Sequence, residues 1–259
     1  MMSNIIAICN QKGGVGKTTT TFNLGAALAL EHDKKVCLID LDPQANLSKY
    51  LGFISDDTAT MTDLIIKVAQ NLFISTDEVM DSVRYNEKNK LYYIPSDINL
   101  ANADVVMSNV LSRETILKRI LSDDFKNCFD YILIDCLPSL GVLLINAMSA
   151  ATDILIPVQT QMFALDGLQS LIQLYNQIRS TINPNLELLG ILPTMVEHTN
   201  VSKNALEMLT IDYNDKLFKT VIHKSTEAAK SSESGLALCK TRNKLGEEYK
   251  ALAGELLNE

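Results

Sequence analysis

The sequence has no apolar run long enough to span a bilayer, and Met1 leads within four residues into its first apolar stretch, which leaves no room for a signal peptide. A cytoplasmic location is the expectation. The five cysteines, Cys9, Cys37, Cys128, Cys136 and Cys239, include no Cys-x-x-Cys pair, and three lie in or beside apolar strands. Reduced structural thiols fit that placement better than a disulfide framework. His32, His198 and His223 are scattered without ligand spacing, which argues against a histidine metal site. Internal repeats, low-complexity segments and any Ser-His-Asp order above chance are also missing. The net charge of −8 taken alone disfavours nucleic acid, so any such role must come from how the charge is distributed.

What is present is enough apolar residue, 47% of 259, to bury one large α/β core, and no segment divides it. A single domain over residues 1–259 is expected. Apolar runs near residues 5, 36, 91, 131, 153 and 187 alternate with helix-length amphipathic stretches, which predicts a doubly wound, mainly parallel sheet covered on both faces. Asp56 to Glu87 is less periodic. It predicts short helices over a sheet edge.

Between the first strand, Ile5 to Cys9, and a helix over Thr18 to Leu30 stands Lys12-Gly13-Gly14-Val15-Gly16-Lys17-Thr18-Thr19. Strand, glycine turn and helix start in that order make a phosphate site. The three glycines allow positive φ and a close backbone approach, so that successive N–H groups, Val15 and Thr19 included in the run, face phosphate oxygens. Lys17 adds a charge near the β and γ phosphates, and Thr18 offers a hydroxyl to Mg²⁺. Against Gly-x-x-x-x-Gly-Lys-Ser/Thr, however, Gln11 replaces the first glycine and a second lysine, Lys12, follows it.

Two further strands end in carboxylates. Val36 to Asp42 runs into Asp40-Leu41-Asp42-Pro43-Gln44, and Tyr131 to Asp135 runs into Cys136-Leu137-Pro138-Ser139-Leu140-Gly141. Strand ends at the carboxyl edge of an open parallel sheet line its ligand crevice, which puts Asp40 and Asp42 in or beside the phosphate site. Asp42-Pro43 also reads as a turn, with Asp42 capping the next segment. Asp135 suits Mg²⁺ held through an ordered water, because a hard cation prefers carboxylate oxygen and keeps several waters.

Together these motifs resemble the deviant Walker ATPases of the ParA/MinD family. The resemblance implies a P-loop NTPase fold in three α/β/α layers, with ATP and Mg²⁺ as cofactors. It implies that Lys12 reaches across an ATP-bound homodimer to the opposite nucleotide, that Asp42 positions the attacking water, and that Asp40 lies near a metal bound by Thr18 and Asp135. It also implies an adenine pocket at Pro193-Thr194-Met195 and Val221-Ile222-His223. No guanine-reading Asn-Lys-x-Asp run is present.

Family members without an N-terminal DNA-reading domain use the ATP dimer to bind DNA non-specifically, and a ParB-type DNA-bound partner stimulates hydrolysis and releases them. The result is plasmid or chromosome partition, with association to the nucleoid. Lys216 to Lys244 offers seven basic residues against Glu227 and Glu233, which could follow a phosphate backbone or could simply be a solvated face. Where relatives commonly carry DNA-contacting arginines this chain has His198 and Glu227, so Lys203, Lys224 and Lys230 are the candidate contacts. A MinD-like positioning ATPase on membrane or other cargo is the alternative. The end of the sequence, Glu247 to Glu259, is too acidic for anionic lipid, and a helix packed on the sheet accounts better for Leu252, Leu256 and Leu257. A cluster-bridged dimer lacks its cysteine spacing. A metabolic P-loop enzyme would need a second constellation that the sequence does not offer.

Overall fold

The computed structural model describes residues 3–161 and 164–258. Seven strands form one sheet: β1 (Asn4–Ile8), β2 (Val36–Leu41), β3 (Arg84–Asn86), β4 (Leu91–Ile94), β5 (Tyr131–Cys136), β6 (Asp153–Gln159) and β7 (Glu187–Thr194), in the order β3-β4-β2-β5-β1-β6-β7. Every pairing is parallel except β3 with β4. The helices are α1 (Lys17–Glu31), α2 (Asn46–Tyr50), α3 (Met61–Ala69), α4 (Thr76–Asp81), α5 (Ala103–Met107), α6 (Ile116–Ile120), α7 (Asp123–Lys126), α8 (Val142–Ala150), α9 (Ala164–Thr181), α10 (Asn200–Tyr213), α11 (Glu227–Ser234) and α12 (Lys244–Leu257).

The central strands are apolar on both sides because both sides are covered. Ile5 and Ala7 of β1 and Cys37 and Ile39 of β2 join one core with α3, α6 and α8, whereas Ile6, Ile8, Val36 and Leu38 join another with α1 and α12. This is the doubly wound arrangement expected from the alternating pattern. The six anticipated strands are all present. The edge strand β3 was not anticipated: Asp56 to Glu87 contains the expected short helices α3 and α4, but its end pairs antiparallel with β4. Arg84 fixes it there through Asp56 at 2.5 Å and the carbonyls of Ala59 and Thr58. A three-residue strand with one charge leaves no readable alternation.

Helix α12 runs along α1, with Tyr249, Leu252, Ala253 and Leu256 buried. These side chains share one core with Ile6, Ile8 and Leu192 of the sheet. No helix among the described residues is long and apolar enough to cross a membrane.

Gly246 lets α12 approach this closely, since a Cβ there would stand 2.3 Å from the Leu238 carbonyl oxygen. Gly246→Ala should cost about 1–3 kcal/mol through backbone displacement. Thermal unfolding followed by circular dichroism should register a midpoint several degrees lower; an unchanged midpoint would refute the close approach.

Candidate functional site

Register sets the site. Because β5 lies between β1 and β2, Asp135 pairs with Ile8 on one side and with Asp40 on the other, so the phosphate-loop strand and both carboxylate strands end level with one another. The loop after β1 is braced from below. Asn10 donates from Nδ2 to the Pro157 carbonyl at 2.7 Å and accepts the Lys12 N–H at 2.9 Å, while Thr194 donates from Oγ1 to the Val15 carbonyl at 2.8 Å. Gly14 and Gly16 have φ of +73° and +89°, and nothing lies within 4 Å of where a Cβ would stand on Gly13, Gly14 or Gly16. The glycines therefore leave an open cradle, and α1 begins at its floor.

The two lysines have separate positions. Lys17 is 7% exposed and donates from Nζ to the Lys12 carbonyl at 3.1 Å. Burial pulls its pKa down, and Asp135, followed by Cys136, Asp42 and Cys9, pushes it back. Lys12 is exposed, and among the described residues its ammonium has no hydrogen-bond or ion-pair partner.

The carboxylates divide in the same way. Asp40 is 1% exposed and fully engaged: Oδ1 accepts the Asp42 N–H at 3.1 Å, and Oδ2 accepts the Ser48 N–H at 2.9 Å and hydroxyl at 2.6 Å. Burial raises its pKa to about 6 against those bonds. In this geometry Asp40 anchors α2 and, through Ser48 to the Ser96 N–H at 3.0 Å, the segment after β4. Asp42 lines the cavity and accepts the Gln44 N–H at 2.9 Å, so the anticipated turn is present together with the anticipated placement.

Asp135 accepts from Thr21 at 3.3 Å through Oδ1, but Oδ2 is buried with no hydrogen-bond partner among the described residues. Burial and then the charge of Asp40 hold its pKa well above the ordinary carboxylate range, partly offset by the Thr18 hydroxyl and Lys17. A buried, unsatisfied carboxylate oxygen near a threonine hydroxyl is a donor set suited to a hard divalent cation. Magnesium fits the residues present.

Three cavities follow one another along the carboxyl edge. The phosphate cavity, about 340 Å³, is lined by Gly13, Gly14, Lys17, Thr18, Asp42 and Pro138 among others. It shares Gly16, Thr19 and Met195 with a narrow apolar compartment walled by Ile222, Ala228, Leu245 and Tyr249. Beyond it, across His223, Lys224, Ser225 and Leu245, opens a polar compartment of about 410 Å³. Met195, at φ +51°, stands at the first junction. Pro193 is buried in β7 behind the wall, where its carbonyl accepts the Ile222 N–H at 2.9 Å.

The lysines are less free than their sequence spacing suggests. Lys224 pairs with Glu197 at 2.5 Å and Lys230 with Glu227 at 2.6 Å, whereas exposed Lys203 on α10 has no ion-pair partner among the described residues. The count of Glu227 and Glu233 alone is corrected by the fold, which also brings in Glu197 from a distant segment and Glu248 from the next turn of α12. Asn10, Thr21, Ser48 and Tyr249 escaped the sequence reading. Only Thr21, one helical turn past Lys17, carried a usable signal.

A family model described as an AAA domain matches residues 3–188. The Bacillus subtilis protein named sporulation initiation inhibitor protein Soj is 38% identical over 258 residues, covering 98% of each chain. The Treponema pallidum chromosome-partitioning ATPase Soj is 37% identical over 92% of this chain and 89% of its own. Among solved structures, the cobyrinic acid a,c-diamide synthase of Mycobacterium smegmatis with bound ADP and magnesium is 30% identical, with a TM-score of 0.83 over 99% of this chain and 95% of that one.

Asp135→Asn removes one of two neighbouring buried carboxylates. In thermal unfolding of the ligand-free protein at neutral pH its midpoint should rise, by roughly 2–4 °C for each kcal/mol recovered. A fall would mean that Thr18, Thr21 and Lys17 already offset the buried charge.

Proposed function

Because the chain belongs to the ParA/MinD-type family of P-loop ATPases, we propose that residues 1–259 act as one Mg²⁺-dependent ATP hydrolase of the partitioning type, which assembles as a dimer around ATP. The observation that carries this reading is the division of labour between two lysines of one loop. Lys17 lines its own phosphate cavity, and the Lys12 ammonium is left exposed with no partner among the described residues. A second subunit facing the cleft would give Lys12 a phosphate to neutralise. The Soj relatives, one of them named a chromosome-partitioning ATPase, support the biological assignment.

Backbone N–H groups of Gly13 to Thr19 hold the phosphates, and Lys17 balances the charge of the terminal ones. Thr18 would supply a hydroxyl and Asp135 a carboxylate to hold Mg²⁺, which would contribute positive charge against the phosphates. Asp42 keeps one oxygen on the Gln44 N–H, which orients the carboxylate toward the cavity to accept a hydrogen bond from the attacking water. Lys12 of each subunit completes the opposite site. The base packs in the apolar compartment beside Met195 and Ile222, with Pro193 stiffening the wall. Cleavage of the γ phosphate removes the charge that holds the subunits together.

In the ATP dimer the same chain binds DNA without sequence preference and associates with the nucleoid, and a ParB-type partner stimulates turnover. Lys203 is the readiest phosphate contact. Lys224 and Lys230 contribute by exchanging Glu197 and Glu227 for phosphates. The membrane alternative is disfavoured because the apolar face of α12 is already buried.

Lys12→Ala tests the dimer directly. Monomer nucleotide binding should be nearly unchanged, while ATP-dependent dimerisation in sedimentation and stimulated turnover should fall by at least about tenfold, the scale on which one phosphate clamp acts; full dimerisation would overturn the cross-subunit role. For DNA, ATP should retard arbitrary duplex at low salt. Retention should weaken steeply as salt rises and in Lys203→Glu or Lys224→Glu/Lys230→Glu. Liposome binding without DNA binding would instead favour membrane positioning.

A further inference from the structure

The polar compartment at the far end of the cleft is organised around one imidazole. His223 follows the wall residue Ile222 and lines both the apolar and the polar compartments. Glu248 of α12 grips it twice: Oε2 accepts the His223 backbone N–H at 2.9 Å, and Oε1 lies 2.7 Å from Nδ1. One turn-pair further along the same helix, Glu255 accepts the Lys219 and Thr220 N–H groups at 2.7 and 2.9 Å, so two carboxylates of α12 hold the whole strip from 219 to 223.

A carboxylate oxygen can only accept, so Nδ1 must carry the proton of the Glu248 bond. In the neutral ring Nε2 is then an acceptor, and no hydrogen bond within the described residues uses it. Of the cationic side chains around it, Lys224 pairs with Glu197 at 2.5 Å, and Lys244 stands 3.7 Å from the same Glu248 oxygen that meets Nδ1. His198 stands beside the ring at 5.9 Å between centroids, too close for a base to enter between them. The compartment therefore offers an entering purine a fixed acceptor.

We propose that His223, held in one tautomer by Glu248, reads the six-position of the purine base and makes the site prefer adenine. This rests on the reading that ATP lies along the cleft with its base in the apolar compartment, which turns the six-position away from the phosphates. Adenine presents an N–H donor there, and Nε2 accepts it. Hypoxanthine and guanine present a carbonyl oxygen, and two acceptors face one another without a proton to share. His223 is the specificity-determining residue and Glu248 its positioning residue.

Equilibrium binding of Mg-ATP and Mg-ITP separates the possibilities, since the two bases differ at the six-position and its neighbouring N1. Wild type should prefer Mg-ATP by about tenfold or more, the worth of one hydrogen bond against an unmatched acceptor. His223→Leu should lose that preference by weakening Mg-ATP alone. Glu248→Gln, whose amide can donate to or accept from Nδ1 and so frees the tautomer, should also reduce the ratio while keeping most of the affinity. Equal affinities in wild type, or a parallel loss for both nucleotides in the variants, would overturn the role of His223. Binding of neither nucleotide by wild type would instead defeat the ATP reading on which it rests.

Discussion

Strand β5 runs between β1 and β2, and its register sets Asp135 level with Asp40, both almost inaccessible to water. Two carboxylates cannot share such a place without compensation, since burial disfavours each charge and each charge disfavours the other. The compensation is unequal. Asp40 is bonded on both oxygens by Ser48 and the backbone of Asp42, while Asp135 has a bond from Thr21, the Thr18 hydroxyl and a lysine nearby, and one oxygen without a hydrogen-bond partner among the described residues. The unmet electrostatic demand is thereby concentrated on a single oxygen beside Thr18. An apolar pair would serve the core as well or better, so the carboxylates make sense as a cation seat.

The loop above that seat is held rather than free. Asn10 ties its beginning to β6 and Thr194 ties its middle to β7, so the two strands on the far side of β1 fix the cradle before any phosphate arrives. Donors fixed in advance cost little reorganisation when charge develops, which is the condition under which backbone N–H groups are most effective. Lys17 belongs to this fixed set, drawn back onto the Lys12 carbonyl. Lys12 does not: its ammonium is exposed and has no partner among the described residues.

Much of this was legible in sequence because it is local. Continuous apolar runs mark strands buried on both faces, and a glycine turn between strand and helix marks the phosphate site; β1, β2, β5 and the cradle follow from a few adjacent residues each. What escaped depends on distance along the chain. Ser48 closes on Asp40 across a turn, Thr194 on Val15 across 179 positions, and Glu248 on His223 across 25. The basic stretch shows the same limit in reverse: Lys224 looked free because Glu197 lies outside the window in which charges are counted. Pairings of this kind are set by topology, and periodicity carries no record of them. The edge strand β3 failed for another reason, being too short to alternate and defined by Arg84 rather than by apolar residues.

The two ends of the cleft are mechanically joined, and α12 is the reason. Its Tyr249 hydroxyl lies 3.4 Å from Thr20 on the helix that begins at the cradle, while Glu248, the adjacent residue, holds His223 at the other end. Met195, in a left-handed conformation rare for its residue type, borders both the phosphate and apolar cavities and directly follows the Thr194 that braces Val15. Met195 is thus next in chain to a tether of the phosphate loop, and Glu248, which holds His223, is next in chain to Tyr249. The apolar compartment and the phosphate loop therefore share one set of tethers, Thr194 beside Met195 on β7 and Tyr249 beside Glu248 on α12.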